Sequence, residues 1–347
     1  MANAKLFHAL GLHMHQPPDN LQLLMDRDPQ GAEQIIRCYE RVPRYARKFR
    51  EHARIHVGFS GILLEQLRDP KIVDSYRSIV DIPAMLDNYA KTDTIELMGM
   101  GYYHPLFPLI PPEDWDDHLS RGRQMMKDVF GRAPRGFWPP EMAFCMEMVP
   151  ALVKAGYEYV IVDGGHLQPE NGVADIYRPY RATVNGISIT VIPRDRELSD
   201  LQRHGTDSRS FFKALRQRVR DAPPSDQPRL ITTGSDGENG GWFRQMHEPS
   251  GFFGHFFVPF MEEIESGRSG VQPIFISDFV RENPPTEEAR VRTSAVLPVA
   301  GQASVSPAHI KAVEHIHALS ARSRDLVSDW EGLSAEDRTR CWTKRAR

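Results

Sequence analysis

Short apolar runs alternate with helical stretches from about residue 6 to residue 280, and nearly every run ends in a polar cluster. Leu6–Met14 is the first such run, closed by Pro17 and Pro18. In 54–60 the residues Ile55, Val57 and Phe59 alternate with Arg54, His56 and Gly58, the period of a strand. Further strands are predicted over 94–101, at Gly136-Phe137-Trp138, and over 157–163, 187–193, 229–234 and 274–277. Helices are predicted over 33–52 with an interruption at Pro43, from Gly61 through Leu67, and over 80–90, 113–129, 146–155, 210–219 and 252–266. Strands and helices in this order imply a parallel sheet with right-handed crossovers. About seven repeats over this length favour an α/β fold closed into a distorted (β/α)7-type barrel rather than an open sheet. After Arg281 the pattern weakens into Asn283-Pro284-Pro285, and only 308–327 again reads as helix. The division expected is a barrel over 1–281 and a short, mostly helical C-terminal segment over 282–347.

Composition narrows the function classes. The 347 residues carry 26% charged side chains but a net charge of only −3, which favours neither a nucleic-acid nor a membrane surface. No stretch approaches the roughly 18 apolar residues of a spanning helix. Cys38, Cys145 and Cys341 are far apart and form no C-x-x-C, so free thiols in a reducing compartment are expected. The first residues lack the basic and apolar regions of a secretion signal, and the chain is read as cytoplasmic. The oligomeric state is left open.

The polar clusters carry the chemistry. They are His13/His15/Gln16, Tyr102/Tyr103/His104, Trp138/Glu141, Asp163, Asp195 and Asp236/Glu238, all at predicted strand C-termini. In a parallel barrel these converge on one rim, where ligands bind. Pro139 and Pro140 end the fourth strand and suit the first turn of a helix, which places Glu141 at a helix start, where the dipole favours its ionised form. Asp236 sits in a Gly-rich turn. Two carboxylates about 5–5.5 Å apart cleave a glycosidic bond with retention, one as nucleophile and one as acid and then base. Tyr102, Trp138, Trp242 and Phe243 are candidates to stack on sugar rings. The competing possibility is a metal site on His13 and His15 with Asp163, Asp195 or Asp236, although no H-x-x-x-H or H-E-x-x-H accompanies them.

Taken together, these stretches resemble glycoside hydrolase family 57. The resemblance is carried by His13-Met-His-Gln-Pro17, 58–67, 96–105, Trp138-Pro-Pro-Glu141, Pro193-Arg-Asp-Arg-Glu-Leu-Ser-Asp200 and Asp236-Gly-Glu238, in that order along roughly residues 5 to 280. It implies a (β/α)7 barrel acting on an oligo- or polysaccharide of the α-glucan class by a retaining double displacement, with no cofactor and no metal. On the matching positions Glu141 is the nucleophile and Asp236 the general acid/base. His13, His15 and Glu238 bind the sugar, and Trp138 and Trp242 line the site. Gln16, Tyr102, His104, Asp195 and Phe243 join the substrate-binding candidates from their clusters. The sequence departs from the family in its short C-terminal part. Two alternatives stand beside the hydrolase or transglycosylase: a catalytically weak carbohydrate-binding protein of the same fold, and a metal-dependent carbohydrate deacetylase or mannosidase-like enzyme.

Overall fold

A computed structural model describes residues 5–170, 172–238 and 248–293. Trp242, Phe243, Cys341 and the helix expected over 308–327 lie outside the described residues. The described strands are β1 (Leu6–Met14), β2 (Ile55–Phe59), β3 (Ile95–Gly99), β4 (Gly136–Phe137), β5 (Tyr159–Asp163), β6 (Leu167–Pro169), β7 (Tyr180–Val184), β8 (Ile187–Arg194), β9 (Arg229–Asp236), β10 (Val271–Pro273) and β11 (Ala289–Val291). Parallel pairing runs from β9 to β1, then through β2, β3, β4 and β5 to β8. β10 extends the lower half of the β1 edge that β2 occupies above. Helices join the successive barrel strands along the chain except between β5 and β8, where a 3-10 turn, β6 and β7 make the crossover.

The ring closes between β8 and β9 without a regular ladder. Asp195 N–H donates to the Thr232 carbonyl at 2.9 Å, and Leu230 N–H donates to the Tyr177 carbonyl at 2.8 Å. The helix Arg196–Arg203 covers the rest of the β9 edge with side chains. The Ser199 hydroxyl accepts from Gly234 N–H at 3.1 Å, and Gln202 bonds both Thr233 and Ser235. The Thr232, Leu230 and Gly234 bonds satisfy backbone groups of β9 that a missing strand partner would leave orphaned, and Gln202 ties down its outward hydroxyls.

The two-residue period divides each barrel strand between two cores. Phe7, Ala9, Met98, Tyr159, Ile161, Ile192 and Leu230 fill the barrel interior together with Trp138. Leu10, Leu12, Met14, Ile55, Val57, Phe59, Ile95, Leu97 and Ile231 face the helices. Both sets are buried, as expected of parallel strands covered on both faces.

Several elements depart from the sequence reading. The helix Pro29–Lys48 runs through Pro43 without breaking. Pro43 lacks the N–H that would bond the Tyr39 carbonyl, and the Tyr89 hydroxyl supplies that bond at 2.7 Å. The short strand expected over 274–277 lies instead at 271–273 as β10, and Ile276–Glu282 is a helix. β7 is an antiparallel hairpin partner of β8 that the sequence reading did not find. β11, beyond the expected boundary at 281, pairs antiparallel with β6.

Candidate active site

The inward-facing positions at the strand C-termini form one cleft. His13 and Asp236 are directly opposed residues in the parallel β1–β9 ladder, and His13 Nε2 lies 2.5 Å from Asp236 Oδ1. The Asp236 side chain is 43% exposed, so its carboxyl is tied to the wall on one side and open to the cleft on the other. Trp138 lies beneath, its ring 5.8 Å from that of His13. It is fully enclosed, and a Cβ on Gly11 or on Gly234 would overlap its ring. Those glycines of β1 and β9 let the indole lie across the barrel as a floor. Trp138 therefore supports His13 from below and presents no face for stacking a sugar.

Glu141 is not at a helix start. Pro140–Met142 is a single 3-10 turn, and the next α-helix begins at Met148. Glu141 has φ 52 and ψ 27, and Met142 has φ 54, both in the left-handed region that side chains with a Cβ rarely adopt. The two prolines keep Trp138 and Pro139 extended, and the chain reverses at Glu141 and Met142, where Met142 N–H bonds the Pro139 carbonyl and Ala143 N–H the Pro140 carbonyl. Without a helix here, no dipole favours an ionised Glu141. What replaces it is held strain of the sort that collects at functional sites.

Behind the cleft Glu238 is buried and gathers three donors on Oε1. They are the Tyr39 hydroxyl, His15 N–H at 3.2 Å and Gln16 Nε2 at 3.3 Å. Gln16 Oε1 in turn accepts from Asn20 at 2.5 Å. His15 bonds the Ser60 hydroxyl through Nδ1 at 2.9 Å and stacks on His104 with centroids 3.9 Å apart. His104 itself has φ 58 and stacks at 5.7 Å on His13.

Tyr102 and Asp195 are placed otherwise than expected. The Tyr102 ring lies against Gly61, and its hydroxyl donates to Glu65 at 2.7 Å. Asp195 is fully buried on the outward parity of β8. Its Oδ1 caps the helix Arg196–Arg203 by accepting from Leu198 N–H at 3.0 Å. Its Oδ2 accepts from the Tyr177 hydroxyl at 2.7 Å and from Arg218 Nε at 2.5 Å. The inward residue is its neighbour Arg194, which bonds the Gly234 carbonyl at 3.3 Å and approaches Asp163 at 3.7 Å. Asp163 is held by Gly165 N–H and by Arg196. Arg194 was missed, although counting in twos from the inward Ile192 finds it. Tyr39 was also missed. It sits mid-helix among core residues, and nothing local marks it.

The electrostatics of the cleft are uneven. Burial pushes Asp236 up, but the His13 hydrogen bond and charge, with Arg203 and Arg194, outweigh it and leave its carboxyl below the usual range. Burial likewise pushes His13 down, and Asp236, Glu238 and Glu141 together raise it above its ordinary value. Glu141 opens to the cleft by surface, yet the surrounding walls desolvate its carboxyl. It is raised by that crowding and by Asp236, against His13, Arg194 and Arg203. Glu238 is raised mainly by burial, opposed by His13 and Tyr39. His15 falls to about 4 and His104 to about 2, each through burial first and neighbouring histidines second. Among the described residues, no group of three or more His, Cys, Asp or Glu side chains is arranged to hold a metal ion, and no helix is long and apolar enough to cross a membrane.

Comparisons with known proteins agree with this architecture. A 4-alpha-glucanotransferase of Thermococcus kodakarensis is 29% identical over 235 residues, covering 67% of this chain and 32% of that protein. Alpha-amylase 1 of Dictyoglomus thermophilum is 26% identical over 201 residues, covering 56% and 26%. The chain thus spans about a quarter to a third of the length of these curated relatives. Among solved structures, a GH57-type branching enzyme of Pyrococcus horikoshii superposes with a TM-score of 0.74 at 17% identity, covering 96% of this chain and 81% of that one. The sequence profile described as Glycosyl hydrolase family 57 matches residues 9–294. The chain belongs to glycosyl hydrolase family 57.

Proposed function

We propose that the chain is a retaining glycoside hydrolase or transglycosylase acting on α-glucan. The observation that carries this reading is that Glu141, just past β4, and Asp236, at the end of β9, stand at the same end of the barrel, where the charge of Asp236 adds to the rise in the pKa of Glu141. Glu141 is the nucleophile. One of its carboxylate oxygens attacks the anomeric carbon, and the bond to the leaving oxygen breaks as Asp236 gives that oxygen a proton. Water or a second glucan hydroxyl then loses a proton to Asp236, bonds the anomeric carbon and releases Glu141. His15 and His104 lie on the wall where they can meet sugar hydroxyls, Glu238 backs that wall by holding His15 N–H and Gln16, and Arg194 and Arg203 favour the ionised nucleophile. The curated relatives, an amylase and a glucanotransferase by name, support the substrate class. Trp242 and Phe243, just beyond Glu238, are proposed as sugar-facing aromatics on sequence grounds. The buried free thiols Cys38 and Cys145 accord with action in the cytoplasm.

The test is incubation with maltoheptaose and amylose, with products separated by size and Glu141→Gln and Asp236→Asn as controls. Shorter products alone identify a hydrolase, and longer or branched products a transferase. Either outcome must vanish in Glu141→Gln. Glucan binding with no turnover by the unaltered chain would overturn the enzymatic reading in favour of a carbohydrate-binding protein.

A further inference from the structure

The double displacement needs a charged Glu141 and a protonated Asp236, yet the cleft biases both the other way: Glu141 is raised and Asp236 lowered. Geometry supplies the missing proton. His13 and Asp236 are fixed opposite each other by the β1–β9 register, with Nε2 and Oδ1 2.5 Å apart. Trp138 below and His104 beside it hold the imidazole in place. Resting on the glycosidase reading above, we propose that His13 is the proton store of the reaction: the acid is the His13–Asp236 pair, which holds one shared proton, and not Asp236 alone.

In the free site the proton sits on His13 Nε2 and Asp236 is a carboxylate. A glucan filling the cleft expels water from the open side of Asp236. Loss of water penalises an ion pair more than its neutral tautomer, so the Nε2 proton moves to the carboxyl. The carboxyl then passes a proton to the leaving oxygen as the C–O bond breaks and Glu141 bonds the anomeric carbon. His13 is left neutral and Asp236 ionised. In the second half the attacking hydroxyl returns one proton to the pair. Before attack and after release Glu141 is free to ionise, because the acid proton is stored elsewhere.

The charged and titratable groups facing the pair are Glu238 beyond β9, Glu141 after β4, His104 after β3, His15 just past β1, and Arg194 and Arg203 from β8 and its following helix. His15 and His104 are neutral in the neutral pH range, so they do not compete for the proton. The three acids favour a protonated His13 and the two arginines an ionised Asp236, and both effects maintain the charge-separated resting form.

The first arm of the test is the pH profile of kcat/KM on maltoheptaose for the unaltered chain and His13→Asn. The basic limb is set by the pair in the first and by one carboxyl in the second. It is expected to move down by about two pH units, from above the ordinary histidine value toward the carboxylate range. A histidine that only binds sugar would raise KM and leave the limb in place, and that result would overturn the proposal. The second arm follows the 15N signals of the His13 imidazole in the unaltered chain and in Asp236→Asn, and needs no turnover. His13 should titrate above 6.5 in the first and lower in the second, and an unchanged titration would overturn the pairing. An unaltered chain that turns over no α-glucan overturns the glycosidase reading, and the store with it. Turnover with an unmoved limb overturns the store alone.

Discussion

The Tyr39 hydroxyl donates to the Glu238 carboxylate across 199 residues of sequence, joining the middle of the helix Pro29–Lys48 to the turn just past β9. That helix keeps its path past Pro43 because Tyr89 bonds the Tyr39 carbonyl, so one residue anchors the helix at its backbone and the cleft at its side chain. Tyr39→Phe removes a donor from a buried carboxyl and leaves the packing intact. It is expected to cost about 1–3 kcal/mol in urea unfolding. Glucan turnover should fall as well, because the wall behind His13 loses the bond that fixes Glu238. Unchanged stability would mean that the hydroxyl is dispensable to the fold.

At Glu141 the strain gives a comparison that separates backbone from chemistry. With φ 52 and ψ 27, any residue bearing a Cβ is disfavoured there. Glu141→Gly and Glu141→Ala both lack the nucleophile and should both be inactive. The glycine variant should nonetheless be more stable than the alanine variant by about 1 kcal/mol, the reverse of their order in ordinary backbone. Thermal unfolding of the two proteins decides it.

Much of this arrangement was legible in the sequence, and the losses have physical causes. Strand ends marked by prolines and histidines gave the barrel order and placed His13, His15, Glu141 and Asp236 on one rim. Asp195 stands out in sequence as the acid just past the predicted strand 187–193, but strand parity turns it outward and its neighbour Arg194 inward. On a strand a shift of one residue exchanges the two faces completely. The Trp138 indole looked like a sugar platform because local sequence does not record that Gly11 and Gly234, far apart in the chain, make room for it inside the barrel. The turn at Glu141 was read as a helix start because two prolines fit both structures, and only the left-handed backbone distinguishes them. Tyr39 lay beyond any local pattern, since its partner comes from the other end of the barrel.

Burial of His8 gives a stability prediction in acid. The ring is fully buried, bonds Thr233 at 2.9 Å and packs edge-on against Phe211 and Phe260. Burial, with the nearby His56, lowers its pKa from 6.5 to about 3. Between those values the unfolded chain binds a proton that the folded chain refuses. The contribution is therefore whole above pH 6.5 and is lost as pH falls toward about 3. The loss approaches ~1.4 kcal/mol per pH unit. His8→Gln removes this group, and its unfolding free energy should fall less steeply between pH 6 and pH 4 in urea titrations at several pH values. Parallel slopes for the two proteins would count against the buried neutral ring.

The last prediction concerns Asp195, which sequence reasoning placed at the substrate and the structure places in the frame. Its carboxylate caps the helix Arg196–Arg203 and binds Arg218 and Tyr177. That helix covers the open edge of β9 through Ser199 and Gln202, and β9 ends at Asp236. Asp195→Asn keeps an oxygen able to cap but removes the charge that Arg218 faces. Asp195→Ala loses both, and because the aspartate is buried and paired its removal should cost about 3 kcal/mol, with the asparagine variant between it and the unaltered chain. Whatever fraction stays folded should bind maltoheptaose with KM within roughly twofold of normal, since no contact to sugar is lost. Turnover should drop as β9 loosens and Asp236 drifts from His13. A large rise in KM at unchanged stability would instead put Asp195 in the cleft and the inward parity of Arg194 in error.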